Sequence, residues 1–75
     1  MTQAERVMKY IGEFHSISSW EAFRDLGITR LAARIADLES EGVHFNRTRE
    51  AVKNRYGEQT YYTRYSIAEG EQNNG

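Results

Sequence analysis

The sequence predicts an α+β fold in one small domain, with three helices followed by a two-stranded antiparallel β-hairpin. Two observations lead to this fold class. Apolar residues recur at helical spacing up to Gly42, and beyond it they alternate with polar residues as they do in a strand. Two helix starts are each marked by a Ser or Thr with a Glu three residues later. A chain of 75 residues buries only about 60% of its unfolded surface, so we expect a stability of a few kcal/mol.

The composition excludes several kinds of site. There is no cysteine, and therefore no disulfide, thiolate zinc site or cysteine nucleophile. His15 and His44 lack partners at metal-ligand spacing, and no phosphate-binding glycine loop or paired nucleophile and base is present. We expect no catalysis, no metal and no cofactor. The longest apolar runs are two or three residues, so we expect a soluble cytoplasmic protein without a membrane span.

The first predicted helix opens with the capping box Thr2-x-x-Glu5 and extends to about Phe14. Its apolar residues fall on one face, which we expect to be buried: Ala4, Val7, Met8, Ile11 and Phe14. Ile17 follows in a brief extended connection, where it can pair with the later hairpin as a single-rung strand.

Residues 18–42 are predicted to form two short helices joined by a tight turn at 27–29. Ser18 and Glu21 form a second capping box, and Gly27 suits the left-handed position that ends the first of these helices. We expect Thr29 to cap the second helix, 30–41, and Gly42 to end it. Its apolar stripe is Leu31, Ile35 and Leu38, while Arg30, Ala33 and Asp37 point the opposite way and Arg34 lies on the flank. Such an arrangement is a helix-turn-helix.

Large side chains of the first of these two helices are expected in the core. Trp20 and Phe23 are three residues apart, and together they would supply much of the buried volume. The position of Trp20 in the first turn leaves partial exposure of its ring open.

The remaining chain predicts a hairpin of two strands, about 43–52 and 59–67, around a turn at 54–57. Pairing Val43 with Ile67 centres the loop on Arg55 and leaves Gly57 for the positive-φ position of a three-residue loop. In this register three further pairs face each other: Phe45 and Tyr65, Arg47 and Thr63, and Arg49 and Tyr61.

The outer half of the hairpin is basic and cannot cover an apolar core. Residues 43–67 hold five Lys/Arg against two Glu, a net charge of +3 in a chain whose total is −1. A basic hairpin that projects after a helix-turn-helix is a wing. We expect the winged domain to span residues 1–68 and residues 69–75 to be a disordered tail.

The run Ile17-Ser18-Ser19, Glu21-Ala22 and Gly27-Ile28-Thr29-Arg30-Leu31-Ala32-Ala33-Arg34-Ile35 resembles small winged helix-turn-helix proteins of bacteriophages and prophages. The resemblance covers about residues 4–68 and includes the closing step Tyr65-Ser66-Ile67. It implies a DNA-binding domain in which Thr29, Arg30, Ala33 and Arg34 serve recognition. Phe23, four residues before the turn glycine, departs from the small residue usual there, a difference that can change the angle between the helices.

If the domain binds DNA, we expect helix 30–41 to dock in the major groove. Arg30 and Arg34 can each offer two donors to guanine or hold phosphates, Ala33 can contact a thymine methyl, and Asp37 can accept from cytosine. Helix N-termini at three hydroxyl residues suit phosphate: Ser18, Ser19 and Thr29. The alternative is an ordinary solvated face on which Arg30 and Arg34 merely balance Asp37 and Glu41.

The wing, residues 47–64, would contact the phosphate backbone or the minor groove through its cations. These are Arg47, Arg49, Lys53, Arg55 and Arg64. The alternative is an edge hairpin whose charges prevent aggregation. Tyr65 is expected in the core and Tyr61 is expected to stack on Arg49, while Tyr56 and Tyr62 are free for sugar-phosphate or a protein partner.

Two functions follow from these features. The first is a phage or prophage DNA-binding protein, either a transcriptional regulator or an excisionase-like architectural factor, acting on double-stranded DNA as a monomer or weak homodimer. The second is a protein-interaction module in which the wing tyrosines and the acidic residues Asp37, Glu39 and Glu41 bind or inhibit a host protein.

Overall fold

Three helices precede a three-stranded antiparallel sheet in the computed structural model, which describes residues 1–68. The elements in chain order are α1 Gln3–Phe14, β1 Ile17–Ser18, α2 Ser19–Leu26, α3 Leu31–Ser40, β2 Phe45–Lys53 and β3 Gln59–Ile67. The strand order is β1-β3-β2, which leaves β2 at one edge. The predicted α+β winged fold is confirmed, and β1 pairs with β3 at Tyr65 and Arg64, as expected for Ile17. The predicted tail, 69–75, lies outside the described residues.

Both predicted capping boxes are present. The Thr2 hydroxyl accepts from the Glu5 N–H and the Glu5 carboxylate accepts from the Thr2 N–H, and Ser18 and Glu21 repeat this exchange at α2. These caps satisfy backbone donors that a helix start otherwise leaves unpaired. Gly27 ends α2 at φ 69°, the left-handed conformation that glycine adopts at little cost.

The cap predicted for α3 is wrong. Arg30 occupies the N-cap position, its side chain makes no capping hydrogen bond, and Thr29 is exposed before it. Arg30 (φ −121°, ψ 62°) is the last residue before the helix, which begins at Leu31. Thr29 therefore lies one residue before the N-cap position. At the other end Gly42, at φ 102°, follows the C-cap Glu41 and ends the helix as predicted.

The core is built from medium-sized aliphatic side chains. Ile17, Ile28 and Ile35 are all buried, together with the predicted stripe of α3. The expectation that both large aromatic residues fill the core is wrong for Phe23, which is 57% exposed. Trp20 is 56% exposed, as its position in the first turn had left open. Helix α2 turns Ala22 inward, and at 100° per residue Trp20 and Phe23 point away from that side.

The inward face of α1 also differs from the prediction at its C-terminal end. Phe14 is 60% exposed, whereas Tyr10, which the apolar pattern omitted, is buried. Phe14 is the last helical residue, and its ring packs on that of Tyr10 at a centroid distance of 4.7 Å instead of reaching the core. The Tyr10 hydroxyl is satisfied by donating to Asp25, which allows this side chain to be buried.

The hairpin register differs from the predicted one by two residues. Phe45, and not Val43, lies opposite Ile67, so that Arg47 faces Tyr65 and the loop is centred on Tyr56. Asn54 sets this register, because its side-chain oxygen accepts from the N–H groups of Tyr56 and Glu58. A slip of two residues keeps every side chain on its predicted face. Gly57, at φ 79°, occupies the predicted position in a three-residue loop.

None of the helices described in residues 1–68 is long and apolar enough to cross a membrane.

Candidate nucleic-acid interface

The outward face of α3 is made of small side chains and one acidic side chain. Leu31, Ile35 and Leu38 anchor the helix in the core. Opposite them lie Ala33, Ala36, Asp37 and Ser40, of which Ala33 is half-buried and the others are exposed. Arg30, exposed at the start of the helix, has no carboxylate partner among residues 1–68.

Arg34 is held on one flank of α3. Its Nε lies 3.1 Å from the Asp37 carboxylate, an ion pair without an aligned hydrogen bond, and its Nη1 donates to the Gln3 side chain at 3.3 Å. These contacts point the guanidinium toward the start of α1. The sequence predicts that Arg34 contacts guanine or a phosphate and that Asp37 contacts cytosine. In the structure these two side chains form an ion pair with each other.

The other flank of α3 is joined to the hairpin by a bidentate ion pair. Both terminal nitrogens of Arg47 donate to the Glu39 carboxylate, at 2.9 and 3.0 Å, and the guanidinium lies 5.4 Å from the Tyr65 ring centroid. Arg47 therefore lowers the pKa of Glu39, and Glu39 raises the pKa of Arg47. Glu39 and Arg34 are about 140° apart around the helix axis, so that the outward face of α3 opens between the hairpin and the start of α1.

Arg64, predicted to bind DNA, lies on the opposite face of the sheet between two carboxylates. It donates to Glu21 at 2.9 and 3.2 Å and to Ser16, and its Nε lies 3.0 Å from Glu50. Burial alone would raise the pKa of Glu21, but the bonds from Arg64 and Ser18 outweigh it and lower that pKa. Hydrogen bonds from Tyr62 and Arg64 likewise lower the pKa of Glu50. Arg64 thus connects the start of α2 to the hairpin.

The two serines at the start of α2 differ in accessibility. Ser18 is fully buried and its hydroxyl is occupied by the capping box, so it cannot also bind a phosphate. Ser19 is exposed at the first helical position. The Ser18 hydroxyl is thus part of the fold and not of the predicted surface.

The outer half of the hairpin carries the open cations. Arg49, Lys53 and Arg55 are exposed and have no carboxylate partner within residues 1–68. The Arg49 guanidinium lies 4.4 Å from the Tyr61 ring centroid, so the predicted stacking is present. The predicted cross-strand pair is wrong, because Arg49 lies opposite Thr63 and is a diagonal neighbour of Tyr61. Arg47, Arg49 and Lys53 share one face of β2, the face that meets α3 at Glu39. The hairpin thus carries its open cations outward from the C-terminal end of α3, where Arg47 contacts Glu39.

Three contacts of charged side chains elsewhere were missed from the sequence. Asp25 receives hydrogen bonds from Arg24 and Tyr10, in that order of effect, and its pKa is lowered to about 2. Arg24 also lies 5.7 Å from the Trp20 ring centroid. A spacing of fifteen residues between Tyr10 and Asp25 gives no periodic signal, and so only the packing of α1 on α2 reveals this contact.

A helix-turn-helix followed by a hairpin with exposed cations is the arrangement of a winged helix, a class of DNA-binding module. The chain belongs to the winged helix-turn-helix domain family, whose model matches residues 2–70. Such domains are DNA-binding modules and typically have no enzymatic activity of their own. No curated protein and no solved structure matches the chain.

Proposed function

We propose that this domain binds double-stranded DNA as a phage or prophage transcriptional regulator or excisionase-like architectural factor. The observation that carries the proposal is the set of open cations next to the helix-turn-helix. Between the start of α3 and the end of the hairpin, four basic side chains are exposed without a carboxylate partner within residues 1–68: Arg30, Arg49, Lys53 and Arg55. The resemblance of residues 17–35 to phage proteins supports the biological setting.

In this proposal α3 and the wing contact different parts of the DNA. On α3, Arg30 approaches base edges or phosphates at the start of the helix, while Ala33 faces thymine methyl groups and Thr29 precedes the helix at its open N-terminus. Ser19 meets a phosphate at the start of α2. On the wing, the three open cations follow the backbone or enter the minor groove.

The remaining predicted residues act indirectly. Arg34 and Arg47 each lie against a carboxylate, Asp37 and Glu39 respectively, and they reach DNA only when a phosphate replaces that carboxylate. Arg64 and Ser18 hold the wing and α2 in place. The α3 face is therefore less basic than the sequence suggests, and the wing supplies most of the attraction.

The test is selection of bound sites from a random duplex library, followed by measurement of the dissociation constant against salt. With four cations on phosphates, affinity should fall about 10²-fold between 50 and 200 mM salt. A gel assay with the selected site placed at different positions in a fragment separates an architectural factor, which bends DNA, from a regulator that does not. The proposal fails if no duplex is enriched and binding to duplex DNA does not depend on salt.

A protein-interaction module is the second candidate, and the exposed aromatic residues favour it. Tyr56 is 79% exposed at the tip of the hairpin, and Trp20 and Phe23 are exposed on α2. Tyrosine and tryptophan are enriched at protein interfaces. Two of the acidic residues assigned to this function, Asp37 and Glu39, are paired with arginines of the chain itself. Binding that survives 200 mM salt and is lost on Tyr56→Ala would favour this second function.

A further inference from the structure

Helix α1 has an outward stripe that nothing in residues 1–68 covers. Its members, Glu5, Met8, Gly12 and His15, are spaced three, four and three residues apart, as in the seam of a coiled coil. At 100° per residue the three helical members, Glu5, Met8 and Gly12, lie within about 60° of one another. His15 follows the helix as its left-handed C-cap, at φ 75°. Glu5, Gly12 and His15 are exposed and Met8 is half-buried.

A shallow groove runs along this stripe. At the start of α1 the groove is lined by Glu5, Leu38, Glu41 and Val43. Toward the end of α1 the groove is lined by Gly12 and His15 on one side and Ile67 on the other. Met8 lines both parts and joins them. The groove therefore has apolar side chains in both parts, carboxylates at one end and an imidazole at the other.

Neither steric crowding nor backbone conformation in the described part of the chain requires a glycine at position 12. Glycine inside a helix is less favourable than alanine. A Cβ added at Gly12 would meet nothing within 4 Å, and the residue is not among those with a positive φ. What glycine does provide at this position is a gap in the stripe into which a side chain from outside can fit.

We infer that the occupant of the groove is the α1 helix of a second copy, packed antiparallel about a two-fold axis at the level of Tyr10. In this arrangement residues whose numbers add to twenty face each other. Met8 of each copy then enters the gap at Gly12 of its partner, and the Glu5 carboxylate faces the partner's His15. The stripe is thus complementary to itself in shape and in polarity, as a two-fold interface requires.

The expected dimer is weak and leaves the DNA-binding surface open. Helix α1 has twelve residues, about 18 Å in length, which gives an interface at the small end of the range for reversible association. None of the four open cations lines the groove. The inference goes beyond the proposed function, since it concerns self-association and does not depend on DNA.

Gly12→Ala tests the inference because it should act in opposite directions on folding and on association. In the dilute monomer the melting temperature should rise by a few degrees, since alanine favours the helix and its methyl group meets no neighbour. In sedimentation equilibrium between micromolar and millimolar concentration, the dimer dissociation constant should rise about tenfold or more, because the methyl group fills the gap for Met8. Glu13→Ala, on the same helix but off the stripe, is the control and should leave association unchanged.

Disulfide trapping tests the register directly, since the chain has no cysteine of its own. An equimolar mixture of Met8→Cys and Gly12→Cys chains should form cross-linked dimers faster than either chain alone. A mixture of Lys9→Cys and Glu13→Cys chains should not. A monomer mass throughout the concentration range, or a dimer that Gly12→Ala leaves as tight as the parent, overturns the inference.

Discussion

The basic side chains of this domain are of two kinds: those in ion pairs with carboxylates of the same chain and those without such a partner. Of its ten Lys and Arg residues, four arginines lie in ion pairs with carboxylates of the same chain: Arg24, Arg34, Arg47 and Arg64. The other six have no such partner within residues 1–68. A guanidinium already hydrogen-bonded to a carboxylate gains less from a phosphate than an open one, because it must give up its present partner. Charge in the sequence therefore overstates the charge available to DNA.

Arg49→Ala should separate an open cation from a paired one. We expect weaker binding to all duplexes alike, with the slope of log K against log salt reduced by about 1, and little change in melting temperature. Arg64→Ala is the matched comparison. It should leave the salt slope unchanged but lower the melting temperature by roughly 5 °C, since Glu21 and Glu50 lose a shared partner. Equal effects of the two substitutions on the salt slope would contradict this division.

Arg30→Ala should weaken binding to a selected site by about 1–3 kcal/mol and broaden the base preference at one position. The thermal stability should hardly change, because the side chain is exposed and does not cap α3. Competition between the selected duplex and a scrambled one measures both effects. Loss of affinity for both duplexes to the same extent would assign Arg30 to a phosphate instead of a base.

At the scale of elements, the starts of α1 and α2, the end of α2 and the loop glycine of the hairpin were predictable, because each depends on a few adjacent residues. Capping boxes, the left-handed Gly27 and the loop position of Gly57 all follow from local chemistry. The predicted hairpin register was wrong by two residues, because the apolar alternation continues through Val43 and so suggested that Val43 pairs with Ile67. The side chain of Asn54 closes a loop whose centre is Tyr56, one residue later than predicted.

Contacts between elements were less predictable. The alternation placed Arg47 and Arg49 on one face but could not show that Arg47 would meet Glu39 of α3. Nor could it show that Trp20 and Phe23 would be left outside by the angle at which α2 packs. These outcomes depend on how helices and sheet are oriented, which no short segment specifies.

The Glu39–Arg47 pair connects α3 to the hairpin, and Glu39→Gln should release it. We expect tighter non-specific binding and a steeper salt dependence, since Arg47 becomes available to a phosphate, together with reduced discrimination between sites as the wing loses its fixed orientation. Binding isotherms on selected and scrambled duplexes at several salt concentrations measure all three. Unchanged non-specific affinity would mean that Arg47 remains on Tyr65 and away from DNA.

At the scale of the whole molecule, four carboxylates stabilise the fold in their ionised form. Asp25, Glu21, Glu39 and Glu50 all have lowered pKa values, that of Asp25 to about 2. A group with a lowered folded pKa contributes stability above its unfolded pKa, and this contribution is lost as the pH falls toward the folded value. The four groups thus connect α1, α2, α3 and the sheet through charges that acid removes.

The melting temperature should therefore be constant above about pH 5 and fall steadily between about pH 5 and 2. Circular dichroism melts across this range provide the measurement. Asp25→Asn should lower the melting temperature at neutral pH and flatten the most acidic part of the curve, because it cannot gain a proton and its bonds to Arg24 and Tyr10 are weaker. An equal melting temperature at pH 3 and pH 7 would exclude this source of stability.

The outer edge of β2 has a further consequence. A nine-residue strand with unpaired amides is a template onto which an identical strand can add, the usual beginning of fibrous aggregates. Any antiparallel self-addition centred within 48–51 sets like charges face to face: centring on Thr48 opposes Arg47 to Arg49, and centring on Ala51 opposes Arg49 to Lys53. The same positive charges that attract a polyanion thus keep neighbouring molecules from merging their sheets, and neutralising them should cost solubility before it costs the fold.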